Sequence, residues 1–159
     1  MSMGRRYGFT GALTTAASTT RAELIGATTI RPRTYMLMLA AANATPNDYV
    51  NEYTFKRISA ITNTINTQRL PTALDTAEPA TLVTTTSGSA TGINCTAEGT
   101  YTASSELLYF SHNMHAVYAW YAPDGGEIAQ AATATTGMGL FFVGGTTAYN
   151  DQMTWHFSE

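Results

Sequence analysis

The chain has 159 residues, 44% of them hydrophobic, which is enough for one domain with its own core. Only 12% of the residues are charged, against about 25% in an ordinary soluble protein, and the net charge is −3. These values exclude a disordered chain, which combines low hydrophobicity with high net charge. They also leave no membrane helix, since the longest apolar run, at positions 35–42, is far too short.

Strand signals recur along the first two thirds of the chain, whereas helix signals are weak because β-branched Thr is abundant (29 residues) and Lys is nearly absent. A short helix at 40–44, ending before Pro46, is the main exception to this pattern. The predicted strands of this part of the chain are 21–29, 33–42, 49–61 and 94–102.

The C-terminal third carries the clearest strand patterns. Positions 107–121 predict the longest strand, and Asp124-Gly125-Gly126 predicts the hairpin turn that closes it. Positions 137–143 predict a strand that is buried on both faces. At 152–157, large apolar residues alternate with polar ones, which is typical of a half-buried strand.

These patterns together predict about eight strands separated by turn signals. That spacing indicates an all-β fold, a single antiparallel β-sandwich domain over residues 1–159. Residues 1–10 are expected to form a short extended N-terminal arm in front of the sandwich.

Charge is unevenly distributed along the chain. The first 33 residues carry a net +4 from five arginines and one acid, while the remaining 126 carry −7. A basic end on an acidic body suggests docking of that end on an acidic surface, although the arginines could equally be solvated edge charges. Nucleic acid is a poor partner, because Lys and Arg form no cluster beyond Arg5-Arg6.

Residues that could carry chemistry are few. His112 and His115 are three positions apart, so on a strand they point to opposite faces and could not easily share a metal. Asp124 and Glu127 flank a turn and are expected to be turn formers, and Cys95 is expected to be a small buried hydrophobe. We therefore expect no enzyme activity, no cofactor and no metal site.

Strands that are apolar on both faces offer more apolar surface than one small sandwich needs, which favours a cyclic homo-oligomer. The candidate oligomer-interface residues are His115, Val117, Tyr121, Phe141 and Trp155. The basic end and the aromatic anchors of the arm are the candidate docking residues: Arg5, Arg6, Tyr7, Phe9, Arg31 and Arg33.

Residues 107–159 resemble the C-terminal half of small virion proteins of tailed bacteriophages. The resemblance lies in a long aromatic strand that runs into Ala122-Pro123-Asp124-Gly125-Gly126-Glu127, followed by Gly137-Met138-Gly139-Leu140. It ends with the alternating aromatic segment Trp155-His156-Phe157-Ser158-Glu159. Tyr7-Gly8-Phe9-Thr10, leading into 19–29, is similar in style to the start of such chains.

The resemblance implies a jelly-roll-like β-sandwich that forms a homotrimer on the outer surface of the phage head. Such a decoration, or cement, protein bridges neighbouring major capsid subunits, and the family has no catalytic residues. Its partners would be the major capsid protein and itself, with no nucleic acid and no membrane.

Three other functions stay open at this stage. The chain could be a virion part of the tail, neck or fibre, or a carbohydrate-binding module that uses exposed aromatic residues. A cupin-like enzyme is the weakest of the three, because it would have to build a metal cluster from His112, His115 and His156.

Overall fold

The computed structural model describes residues 4–14, 20–42, 48, 50–61, 65–81, 83, 91–97, 99–101, 105–113, 115–145 and 151–159. Within these residues every regular element is a strand, and no helix is long and apolar enough to cross a membrane. The strands are β1 (Arg6–Leu13), β2 (Thr20–Ile25), β3 (Arg33–Ala41), β4 (Val50–Ile58), β5 (Ile65–Gln68), β6 (Thr72–Ala73), β7 (Gly92–Cys95), β8 (Glu106–Asn113), β9 (Tyr118–Tyr121), β10 (Ile128–Ala129), β11 (Gly137–Gly145) and β12 (Asp151–Ser158).

The strands form two antiparallel sheets that pack into a β-sandwich. Sheet 1 has the order β10–β3–β12–β1–β6, with β9 also paired to β3, and sheet 2 has the order β5–β7–β2–β11–β4–β8. The all-β antiparallel prediction is therefore confirmed. The described residues form twelve strands rather than about eight, because several strands are only two or four residues long.

The core lies between the two sheets and centres on Trp155. The Trp155 ring stacks on Phe9 of the same sheet at 5.4 Å and meets Phe55 of the other sheet edge-on at 5.0 Å. Its indole Nε1–H donates to the buried Thr34 hydroxyl at 2.9 Å, so the one polar group of the ring is satisfied inside the core. The predicted alternation of β12 is confirmed, since Met153, Trp155 and Phe157 are all buried.

The N-terminal arm is not separate from the sandwich. From Arg6 onward it forms β1, which lies between β12 and β6 within sheet 1. Tyr7 is fully buried and Phe9 is 4% exposed, because the aromatic residues of this segment alternate and fill the core from one side of the strand. The prediction of a free arm over residues 1–10 is wrong from Arg6 onward, and residues 1–3 lie outside the described part of the chain.

The predicted strand at 107–121 is two strands in different sheets. β8 belongs to sheet 2 and β9 to sheet 1, and the chain crosses between them at a turn. In that turn the Asn113 side chain accepts from the His115 N–H at 2.8 Å, and the Asn113 carbonyl accepts from the Ala116 N–H at 3.0 Å. Apolar alternation continues through the crossing, so the pattern alone does not reveal it.

The Asp124-Gly125-Gly126 segment does form a turn, but it closes no hairpin. Gly125 has a φ of 74°, a left-handed conformation that favours glycine, and the Gly126 N–H donates to the Pro123 carbonyl at 2.8 Å. The turn joins β9 and β10, which follow one another along the same edge of β3.

Candidate functional site

The basic residues of the N-terminal third come together at one end of the sandwich. Arg6 on β1 and Arg33 on β3 are both register partners of Ser158 on the intervening strand β12. With strands about 4.8 Å apart, their Cα atoms are roughly 10 Å from each other. Both side chains are exposed, and Arg5 precedes Arg6 at the same end.

Two further arginines join this end through backbone contacts. Arg31 donates to the Gln130 carbonyl at 3.1 Å, and Arg57 donates to the Ala129 carbonyl at the same distance. Because Ala129 is also the register partner of Arg33, the three arginines surround the short strand β10. We call this group the arginine end: Arg5, Arg6, Arg31, Arg33 and Arg57.

The charge of the arginine end is largely uncompensated. Arg5 forms an ion pair with Glu78 at 3.5 Å, but the other four arginines form no ion pair with any described carboxylate. Glu106, which starts β8 at this end, is already paired with Lys56 at 3.0 Å. The Glu159 side chain accepts from the Thr81 hydroxyl and from the Val83 N–H. Exposed guanidinium groups of this kind can bind carboxylates or phosphates through paired hydrogen bonds.

Four of the six predicted docking residues therefore lie together on the surface: Arg5, Arg6, Arg31 and Arg33. The other two, Tyr7 and Phe9, are core residues and cannot contact a partner. Sequence reasoning missed Arg57, because it lies in the part of the chain with a net negative charge. Its neighbour Lys56 was the only local hint of a basic position there.

The five predicted oligomer-interface residues fall into two groups. Val117 and Tyr121 are 58% and 60% exposed, and His115 lies on the surface near them, where it contacts Asp48 at 3.1 Å. Phe141 is buried beneath Tyr101, whose ring meets it edge-on at 5.0 Å, and Trp155 is fully buried in the core. The prediction that Phe141 and Trp155 lie at an interface is wrong for this fold, because neither side chain reaches the surface.

His112 and His115 point in different directions, as their spacing of three residues predicted. His112 points into the sandwich, where its Nε2 lies 3.2 Å from a carboxylate oxygen of Asp151, while His115 is on the surface. Asp151 also accepts hydrogen bonds from the Tyr53 hydroxyl and from the Asn51 amide. We call these four residues the Asp151 cluster. In the part of the chain that the structure describes, no group of three or more His, Cys, Asp and Glu side chains is arranged to hold a metal ion.

The third histidine, His156, lies half-buried on the outer face of sheet 1, against Gly8 and 6.0 Å from the Tyr35 ring. Desolvation by burial lowers the pKa of His156 below its ordinary value. The unfolded chain therefore binds a proton at His156 near pH 6.5, whereas the folded chain binds it only at lower pH. The contribution of neutral His156 to the free energy of unfolding is fully present above pH 6.5 and is lost as the pH falls below that value.

Replacing His156 with glutamine is therefore expected to reduce the fall in stability between pH 7.5 and pH 5.5. The measurement is the free energy of unfolding in urea at both pH values for the wild type and for H156Q. Replacing the exposed Gln152 of the same strand with alanine is the control, since it removes no titratable group, and we expect it to leave the pH dependence unchanged. An identical fall in the wild type and in H156Q would contradict the prediction.

Comparison with known proteins adds no assignment: no family model, curated protein or solved structure matches the chain.

Proposed function

We propose that the chain is a structural protein of a tailed-bacteriophage virion, a homotrimeric decoration protein that binds the outside of the head and stabilises contacts between major capsid subunits. The observation that carries this proposal is the arginine end. Four exposed guanidinium groups without ion pairs among the described carboxylates lie at one end of a chain that is otherwise acidic. This polarity suits a protein that docks one end on an acidic protein lattice and turns the other end to solvent.

The strand order supports a jelly roll. In that fold the chain passes repeatedly between two sheets, and strands of the first half pair with strands of the second half. Here β1 and β3 both pair with β12, while β2 and β4 both pair with β11. The outer strands β9 and β8 then pair with β3 and β4. β5, β6 and β7 lie between β4 and β8 in the sequence and add strands at the opposite edges.

Exposed apolar side chains support self-association. Val117 and Tyr121 lie on one edge of the sandwich, and Val50, Tyr109 and Val143 are exposed on the outer face of sheet 2. A standard protein–protein interface buries about 800 Å² of the accessible surface of each partner. Exposed apolar surface of this kind is where an oligomer would form its interface. His115, Val117 and Tyr121 are the predicted interface residues that remain available for such a contact.

The R6Q/R33Q double variant tests the docking role. We expect it to bind stripped phage heads about tenfold more weakly than the wild type, which corresponds to a loss of about 1.4 kcal/mol. Wild-type binding should weaken with added salt, because exposed charges are screened beyond about 8 Å at physiological ionic strength. Binding is measured by co-sedimentation with the heads, after light scattering has established that each protein has the mass of three chains.

The K56Q/E106Q double variant is the matched control, since it removes an ion pair at the same end without changing the net charge there. It should bind heads as the wild type does. Equal binding by R6Q/R33Q and the wild type would contradict the docking role. A monomeric wild type would contradict the trimer, and a low copy number in intact particles would favour the tail or neck over the head.

A further inference from the structure

The longest unpaired sheet edge in the described part of the chain is the outer edge of β8. This strand has eight residues and pairs only with β4, whereas the other edge strands, β5, β6, β9 and β10, have four residues or fewer. A long free edge is usually protected by Lys, Pro or a covering segment, because its N–H and C=O groups pair readily with another extended chain. β8 contains neither Lys nor Pro. Its outer edge is therefore open to a further strand.

The backbone groups of Tyr109 and Ser111 point to this free edge. The Leu108 carbonyl faces β4, where it accepts from the Thr54 hydroxyl at 3.1 Å. Because backbone groups alternate in direction along a strand, those of Tyr109 and Ser111 point away from β4, and no other described strand lies beside them. An extended chain lying antiparallel to β8 would exchange both of its hydrogen bonds with each of these residues.

The core of the sandwich is incompletely covered beside the same edge. The Phe110 ring of β8 stacks on the Tyr118 ring of β9 at 3.8 Å, which places the edges of the two sheets side by side. Three side chains that pack against the core here are only partly buried: Leu108 of β8, Trp120 of β9 and Ile128 of β10. We call these three the open seam. A strand added to β8 would lay alternate side chains over the seam and remove apolar surface from water.

Arg57 indicates the charge of such a strand. It spans the end of the seam, since its guanidinium donates to the Ala129 carbonyl of β10 at 3.1 Å and its backbone N–H donates to the Ser105 carbonyl at 3.4 Å. β8 begins directly after Ser105, so a strand antiparallel to β8 ends beside Arg57. A carboxylate in its last residues would pair with the guanidinium.

We propose that the outer edge of β8 binds an extended segment of a partner protein. Apolar side chains at alternate positions of that segment cover the open seam, and a carboxylate at its C-terminal end pairs with Arg57. The inference rests on the proposed function in one respect, the trimer. A ring of three chains has no two-fold axis, so two β8 edges within it cannot pair antiparallel with each other.

The test titrates the deuterated protein with a blocked peptide, acetyl-SVTVSVEE-amide, and follows the amide resonances of Tyr109 and Ser111 by NMR. Peptide residues opposite these two have their side chains on the same outer face of the sheet, so the Ser and Thr amides form the hydrogen bonds while the valines face the seam. We expect N-methylation of the Ser and Thr residues to weaken binding at least tenfold, and N-methylation of the valines to change it less than about threefold. Equal effects of the two methylations would overturn the proposal.

Two protein variants and a control test the same edge from the other side. S111P removes one donor from an exposed edge position and should weaken peptide binding at least tenfold, while S111A keeps the donor and should bind like the wild type. R57Q should weaken binding of the peptide several-fold but leave binding of acetyl-SVTVSVQQ-amide unchanged. Wild-type binding by a folded S111P, or equal effects of R57Q on the two peptides, would contradict the proposal.

Light scattering separates a failure of this inference from a failure of the proposed function. A wild type of two chains that S111P converts to single chains would show that a second copy occupies the edge, and would overturn the inference. Edge-specific peptide binding by a protein that does not bind phage heads would support the inference and contradict the virion role.

Discussion

Replacing Trp155 with alanine is expected to lower the free energy of unfolding by about 3–5 kcal/mol, because it empties the centre of the core. The indole contacts Phe9 in its own sheet and Phe55 in the opposite sheet, so its loss weakens the packing between the two layers. It also leaves the Thr34 hydroxyl without the indole N–H that donates to it. The measurement is urea unfolding, followed by tryptophan-independent far-UV circular dichroism.

The matched control for this prediction is Tyr121→Ala, which also deletes a large aromatic ring but from a position that is 60% exposed. We expect it to change the free energy of unfolding by no more than about 0.5 kcal/mol. Each variant is measured at several protein concentrations, since association would make the stability concentration-dependent. A small effect of W155A on unfolding, together with a loss of association, would mean that Trp155 lies at an interface rather than in the core.

The alternation of apolar and polar residues predicted the strands well where one face of the strand packs against the core. Met153, Trp155 and Phe157 all face the core, as their spacing of two requires. Met138 and Leu140 of β11 likewise face the core, whereas Phe141 on the other face is buried because Tyr101 covers it. The burial of the core-facing residues therefore follows from their own positions in the strand, and that of Phe141 does not.

Predictions that depended on distant partners were less successful. Residues 107–121 keep their alternation through a crossing between sheets, and only the Asn113 turn marks the break. The first ten residues appeared to be an arm because of their arginines, yet Tyr7 and Phe9 pair with Phe157 and Trp155 from the far end of the chain. Pairing between the two ends of the chain leaves no local signal in either segment.

The candidate site shows the same limit. The concentration of arginines in the first third was visible in the sequence, and the antiparallel register of β1, β12 and β3 places Arg6 and Arg33 on either side of Ser158. Arg57 could not be placed at this end in advance, because it donates to the Ala129 carbonyl of β10, a strand that is far from it in the sequence.

The Asp151 cluster is likewise invisible in the sequence, although it joins the two sheets inside the sandwich. Asp151 comes from sheet 1, and Asn51, Tyr53 and His112 come from sheet 2. The chain also contains a natural comparison for it. His115 and Asp48 lie 3.1 Å apart, close to the 3.2 Å between His112 and Asp151, but the Asp48 side chain is 96% exposed whereas that of Asp151 is fully buried.

Replacing Asp151 with alanine is expected to lower the free energy of unfolding by about 3–5 kcal/mol. The reason is that three buried polar groups of sheet 2 lose the carboxylate they share, and each such loss costs about 1–3 kcal/mol. Replacing Asp48 with alanine should change it by no more than about 1 kcal/mol, because water replaces the contact to His115. Both variants are measured by urea unfolding at pH 7.5.

The difference between the two variants measures the combined effect of burial and of the further hydrogen bonds from Asn51 and Tyr53, since the deleted group and the histidine distance are nearly the same. The double variant D151A/Y53F separates the contributions within the cluster. If the Tyr53 hydroxyl depends on Asp151, removing it after the carboxylate should recover part of the lost stability. Equal losses for D151A and D48A would show that water reaches Asp151 and that the cluster does not hold the two sheets together.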